Sequence, residues 1–229
     1  MDYLSVIIVA GGFGKRMAKS IPKQFLLLQD RPILMHTLSR FYKAFNNVHL
    51  RIIVVINKEY EDYWFDLVKE YKFNVPHLIA YGGKERFYSV KNGLEKCFDK
   101  GLVAVHDSVR PFVNKTFLLK LYKEAKLKGN AVPYILPYSS VRLESEGKNW
   151  AIERNKVRMI QTPQFFQVLL LKLAYNQEYK ILFTDDASVY ESIGQKINLV
   201  LGLEKNIKIT TPLDMLIAQE LVKREENIN

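Results

Sequence analysis

The chain has 229 residues, of which 48% are hydrophobic and 25% charged, and one is cysteine. A chain of that length buries roughly 70% of its extended surface, so a core forms without staples, and disordered, collagen-like and disulfide-scaffold classes are excluded. With 34 Lys and Arg against 24 Asp and Glu the net charge is +10, which favours anionic partners: nucleic acid, an anionic membrane surface or a phosphate-rich small molecule.

Leu4 to Ala10 is an uninterrupted apolar run and reads as a buried strand. Behind Pro32, a good first-turn residue, Leu34, Leu38, Phe41, Tyr42 and Phe45 recur at helical spacing. Arg51 to Asn57 reads as a second strand, Tyr60, Trp64, Leu67, Val68 and Tyr71 as a helix face, and His77 to Ala80 as a short third strand. Val90, Leu94 and Cys97 mark the next helix stripe, which makes Cys97 a small buried hydrophobe rather than a reactive thiol. Leu102 to Val105 is a strand, Phe117, Leu118, Leu121 and Ala125 a helix stripe, and Ala131 to Leu136 a strand. Such alternation predicts an α/β fold with a mostly parallel sheet covered by helices on both faces. Ligands in such sheets sit beyond the carboxyl ends of strands, here the loops after Ala10, Ala80 and Val105.

Residues 138–158 break this rhythm, being charged, with too few apolar residues to bury a face and a turn signal at Glu146 and Gly147. They are expected to form a protruding hairpin that packs on a second subunit, because a lone hairpin is marginal in water. Helices are then expected near Val168 to Leu173 and after Thr184, a strand at Ile197 to Leu201, and a last helix opened by Thr211, Pro212 and Asp214. Leu4 to Ala10 precedes the basic pair Lys15 and Arg16, the reverse of a secretory leader. No apolar stretch approaches the roughly 18–20 residues that span a bilayer. A soluble cytoplasmic protein is expected.

Ala10 to Met17 reads AGGFGKRM. The P-loop pattern fails, because Arg16 and Met17 stand five residues after Gly11 and Gly12, and the dinucleotide pattern fails at Met17. What remains is a tight turn of Gly11, Gly12 and Gly14 followed by Lys15 and Arg16, with Lys23 close behind. Backbone amides freed by glycine and fixed cations suit a nucleoside triphosphate. The residues alone equally allow a plain chain turn with a solvated basic face.

Taken together, AGGFGKRM, PKQF, YGGKERFYSV, HDSVRPF, QTPQFF, FTDDAS and NIKITTP resemble, in order and separation, the sugar-phosphate cytidylyltransferases, most closely the 2-C-methyl-D-erythritol 4-phosphate cytidylyltransferase family. The similarity runs from about Val6 to Ala218. It implies residues 1–229 as one Rossmann-like nucleotidyltransferase domain, with 138–158 as a β-arm that interlocks a homodimer. The implied reaction joins CTP to a polyol phosphate with Mg²⁺ and releases pyrophosphate. The acceptor's own phosphate is the nucleophile, consistent with a chain that has neither G-x-S-x-G nor H-E-x-x-H and whose four histidines lack ligand spacing.

By the same resemblance, Arg16 and Lys23 stabilise the transition state, while Arg154 in the arm and Lys208 position the acceptor phosphate. Without it, Arg154 reads as a surface ion pair with Glu153 or Glu144. Ala10 and the glycine loop, with Gly82, Gly83, Arg86 and Ser89, cradle the nucleotide, the second group reading cytosine. Asp107 faces ribose, acceptor and metal, and Arg110 organises the site, with His106 a structural strand-end residue. Thr162 is a supporting residue, as is Thr184, whose segment with Asp185 and Asp186 fits acceptor hydroxyls and a helix cap equally well. The segment Pro137-Tyr138-Ser139-Ser140 departs from the family by lacking an Asp before the arm, leaving Ser140 to supply a hydroxyl. The alternative acceptor is D-ribitol 5-phosphate, whose cytidylyltransferases share the HD-x-x-RPF block. A basic nucleic-acid-binding domain is the reading from another class. It is disfavoured because the cations singled out fall on the site loops; neither a nucleic-acid nor a membrane partner is expected.

Overall fold

The computed structural model describes residues 2–12 and 21–226. Gly14, Lys15 and Arg16 lie outside the described residues. In chain order the elements are β1 (Tyr3–Ala10), β2 (Leu27–Leu28), β3 (Arg31–Pro32), α1 (Ile33–Ala44), β4 (His49–Ile56), α2 (Glu61–Glu70), β5 (Leu78–Tyr81), α3 (Arg86–Glu95), β6 (Leu102–Asp107), α4 (Lys115–Lys128) and β7 (Asn130–Ile135). They continue with β8 (Val141–Ser145), β9 (Lys148–Ile152), β10 (Met159–Ile160), β11 (Gln164–Gln167), α5 (Val168–Tyr175), α6 (Asp186–Glu191), β12 (Leu199–Leu201) and α7 (Pro212–Glu226).

Among the described residues the main sheet has eight strands in the order β10-β7-β11-β6-β1-β4-β5, with β12 also on β7. β1 pairs in parallel with β4 and β6, β4 with β5, and β12 with β7. Alternate residues of β1 feed opposite cores. Val6 and Ile8 pack with α1, α2 and α4, while Ile7 packs with α3, α5 and α6. Burial on both faces is why the strands read as continuous apolar runs.

The sequence reading missed β11. It runs antiparallel between β6 and β7, with Gln164 opposite Val105 and Gln167 opposite Leu102. Its first residue therefore lies beside the end of β6. Among the described residues β1, β4, β5, β6, β7 and β12 all end at that same side of the sheet, and β10 and β11 begin there, so eight strand ends converge on one side.

The hairpin of β8 and β9 stands apart from the main sheet, within the expected 138–158. Glu146 and Gly147 both have positive φ, 50° and 76°, the conformation of a two-residue turn matched to strand twist. Val141, Leu143, Trp150 and Ile152 share one face, Leu143 directly opposite Trp150, and these two keep 50% and 48% of their surface exposed. The last helix starts as its sequence indicates: Thr211 Oγ1 accepts from Asp214 N, and Asp214 accepts from Thr210 N and Thr211 N.

Candidate active site

Two clefts open at the convergent edge and share a wall. The smaller, about 310 Å³, is lined by Ala10, Gly11, Gly12, Lys23, Gly83 and Ser89 among others. The larger, about 640 Å³, is lined by Arg110, Thr162, Thr184 and Asp185 among others. Arg86, Asp107 and Lys208 line both.

The smaller cleft is built from backbone. A Cβ on Gly11 would make only an ordinary 3.6 Å contact with Gly82 Cα, whereas a Cβ on Gly83 would collide with the Tyr88 side chain. Ser89 Oγ accepts from Gly83 N at 3.0 Å and donates to Glu85 O at 3.2 Å. Ser89 is buried. The hydroxyl closes the loop around Gly83, and with one lone pair still open it lines the cleft where the expected base edge would lie. Lys23 opens a short 3-10 helix, Lys23–Phe25, whose next residue, Gln24, is buried and donates its amide to Ala10 O at 2.5 Å. The lysine backbone is thus tied to the end of β1.

At the shared wall Asp107 Oδ2 accepts from Arg110 Nε at 3.0 Å and lies 3.0 Å from Lys208 Nζ. Burial alone would raise the carboxyl pKa, but Lys208, Arg86 and Arg110 together hold it well below the usual carboxylate range. Arg110 also donates to Asn206 O at 2.8 Å, consistent with an organising role. His106 is fully buried: its Nε2 donates to Arg110 O at 3.0 Å and its Nδ1 takes the Thr162 hydroxyl at 3.0 Å. The carbonyl partner requires a proton on Nε2, so Thr162 is the donor to Nδ1 and its oxygen accepts Asp107 N at 3.0 Å. Burial lowers the His106 pKa to about 4, so the ring is neutral at pH 7. Both residues brace Asp107, a role for Thr162 that sequence alone left ambiguous.

Arg86 has a partner that the sequence did not indicate. Its guanidinium is engaged end-on by buried Asp186, with contacts of 2.9 and 2.6 Å. Asp186 is therefore spent on Arg86 rather than on a cap, and two of the five N–H donors of Arg86 are taken while its side chain still lines both clefts. Asp185 is the α6 cap, its carboxylate accepting Ser188 N at 2.9 Å, while Thr184 lines the larger cleft. Gln164, buried at the start of β11, gives its amide nitrogen to Asp185 Oδ2 and accepts Ala187 N, which ties this cap to the sheet.

Arg154 and Ser140 line neither cleft. Arg154 donates to Tyr138 O at 2.7 Å, and Glu153 pairs with Lys156 instead. Within one chain the arm residues are thus apart from the cluster that the other site residues form. Among the described residues no group of three or more His, Cys, Asp or Glu is placed to cage a metal. Asp107 is ionised and suits an ion held mainly by phosphate oxygens and water with one carboxylate. No helix among the described residues is long and apolar enough to cross a membrane.

Comparison with known proteins adds a likeness over nearly the whole chain. Residues 4–224 match the family described as IspD: 2-C-methyl-D-erythritol 4-phosphate cytidylyltransferase. A protein of that name from Phocaeicola vulgatus is 46% identical over 217 residues, covering 95% of this chain and 98% of its own. Another from Clostridioides difficile is 40% identical over 230 residues, covering 97% and 94%. Among solved structures, 4-diphosphocytidyl-2C-methyl-D-erythritol synthase from Anaerococcus prevotii superposes with TM-score 0.81 at 27% identity, covering 97% of this chain and 96% of that one. The 2-C-methyl-D-erythritol 4-phosphate cytidylyltransferase of Thermus thermophilus gives 0.77 at 27% identity, covering 97% and 100%.

Proposed function

The chain belongs to the 2-C-methyl-D-erythritol 4-phosphate cytidylyltransferase family, and from that membership we infer that it joins CTP to 2-C-methyl-D-erythritol 4-phosphate, releasing pyrophosphate. The observation that carries the reading is the pair of clefts meeting at Arg86, Asp107 and Lys208. One cleft has glycine backbone and Lys23 suited to a triphosphate; the other has hydroxyls and cations suited to a polyol phosphate.

An oxygen of the acceptor phosphate attacks the α-phosphorus of CTP, the bond from that phosphorus to the bridging oxygen breaks, and pyrophosphate departs with the electron pair. Lys23 and Arg16 neutralise charge that grows on the α-phosphate and the leaving group, where preorganised cations act most strongly. Gly11, Gly12, Gly14 and Lys15 contact the phosphates, and the loop of Gly82, Gly83 and Ser89 meets the cytosine edge. Lys208 holds the acceptor phosphate in line beside Asp107, and Thr184 lies where the polyol hydroxyls reach. When Mg²⁺ is bound, Asp107 is the residue that holds it, and the ion neutralises phosphate charge.

Pyrophosphate release measured with each acceptor tests the reading. Turnover is expected with methylerythritol phosphate; turnover with ribitol 5-phosphate alone would assign the other acceptor.

The protein works as a cytoplasmic homodimer in which Arg154 and Ser140 of each arm complete the other subunit's site. Support comes from the exposed apolar face of the arm and from Arg154 lining neither cleft within its own chain. Mixed Arg16→Ala and Arg154→Ala subunits then leave one intact site in each heterodimer, so activity should reappear on mixing. Verified heterodimers without activity would rule out sharing.

A further inference from the structure

Arg86 and Asp186 each open a different helix, α3 and α6, and their side chains meet between the two clefts. Nη1 donates to Oδ1 at 2.9 Å and Nη2 to Oδ2 at 2.6 Å. Tyr175, the last residue of α5, donates its hydroxyl to the same Oδ1 at 2.7 Å. Asp186 and Tyr175 are buried, whereas the Arg86 side chain retains 30% of its surface. A guanidinium has five N–H donors. The end-on pair consumes two and leaves three on the flanks of a group that lines both clefts.

We propose that Asp186 and Tyr175 are positioning residues for cytidylyl transfer: they lock Arg86 as a fixed donor to the phosphoryl oxygens that meet where the clefts join. The proposal rests on the function inferred above. A long, flexible side chain beside an open cleft samples many rotamers; two bonds to one buried carboxylate, itself held by a tyrosine, leave one. A buried ion pair adds little net stability over apolar packing, so one placed at the seam of two clefts is better explained by the geometry it imposes. Asp107 stands on the other side of the seam with Arg110 and Lys208, so the wall carries three cations and two carboxylates. The excess charge is positive where two phosphates must approach each other.

Tyr175→Phe removes the hydroxyl and keeps the ring stacked on Phe87, 4.7 Å between centroids. Its expected effect is a roughly 3–10-fold fall in kcat with little change in KM for CTP or acceptor, the pattern of an interaction made in the transition state. In an Arg86→Ala background the same change should alter kcat by less than about twofold, because residues acting through one group are not additive. Asp186→Asn, which keeps shape and removes charge, should lose more kcat than Tyr175→Phe. Unchanged kcat in Tyr175→Phe with a lowered unfolding temperature would show a merely structural role and overturn the proposal. A full additional loss in the Arg86→Ala background would overturn it as well. Absence of turnover in the unmodified protein with either acceptor strikes the functional reading itself, a result separable from both.

Discussion

Replacing Lys23 by alanine will lower kcat by on the order of 10² or more and leave the fold intact, the usual cost of losing one preorganised group aimed at developing charge. The backbone that carries Lys23 is held. The buried Gln24 beside it bonds Ala10 O, and Phe25 packs in the core, so the lysine rises from a backbone pinned to the end of β1. A cation on an anchored backbone needs less reorganisation when the pyrophosphate leaves. Arg16→Ala should behave alike. Pyrophosphate release gives kcat, and circular dichroism with thermal melting verifies the fold. Near-normal turnover in a folded Lys23→Ala protein would withdraw Lys23 from the chemistry.

The second large effect is expected of Asp107→Asn, which should cost activity on the order of 10² and stability as well. The substitution leaves Arg110 and Lys208 facing each other without their shared anion. Breaking a buried pair costs about 3–5 kcal/mol; with the Lys208 side chain 42% exposed, solvent screens its share and the lower end applies. The folded carboxyl has a depressed pKa, so its stabilising contribution is complete above the unfolded value of about 3.9 and fades as pH falls through the lower folded value. Urea midpoints of the two proteins should therefore differ most at neutral pH and converge below about pH 4. A constant gap across that range would mean that the carboxylate's charge is not what matters.

The parallel body of the fold was legible because strands covered on both faces must be apolar throughout, as Val6 to Ile8 and Ile52 to Ile56 are. β11 escaped notice because its first residue is glutamine. Gln164 is nonetheless fully buried, its amide satisfied by Asp185 and by the α6 backbone, and no local pattern announces a partner so far along the chain. The glycine loops and the Asp107 strand end were visible because each is a local signal at a strand terminus. The Arg86–Asp186 pair was not, since its members stand 100 positions apart and each has a plausible local role. Ser89 shows the same limit from the other side. Its hydroxyl also closes the loop over Gly83 and Glu85, a structural role that no local pattern announced.

The antiparallel course of β11 has a consequence for how such proteins diversify. Because β7 leaves the sheet at the side where β10 and β11 re-enter it, everything from Leu136 to Arg158 is an excursion with both roots on the same rim. Its length and sequence can be rewritten without shifting a single ladder of the body. Changes in subunit association are thereby insulated from folding, and a residue carried at the excursion's tip can be traded over evolutionary time while the frame beneath it stays as it is.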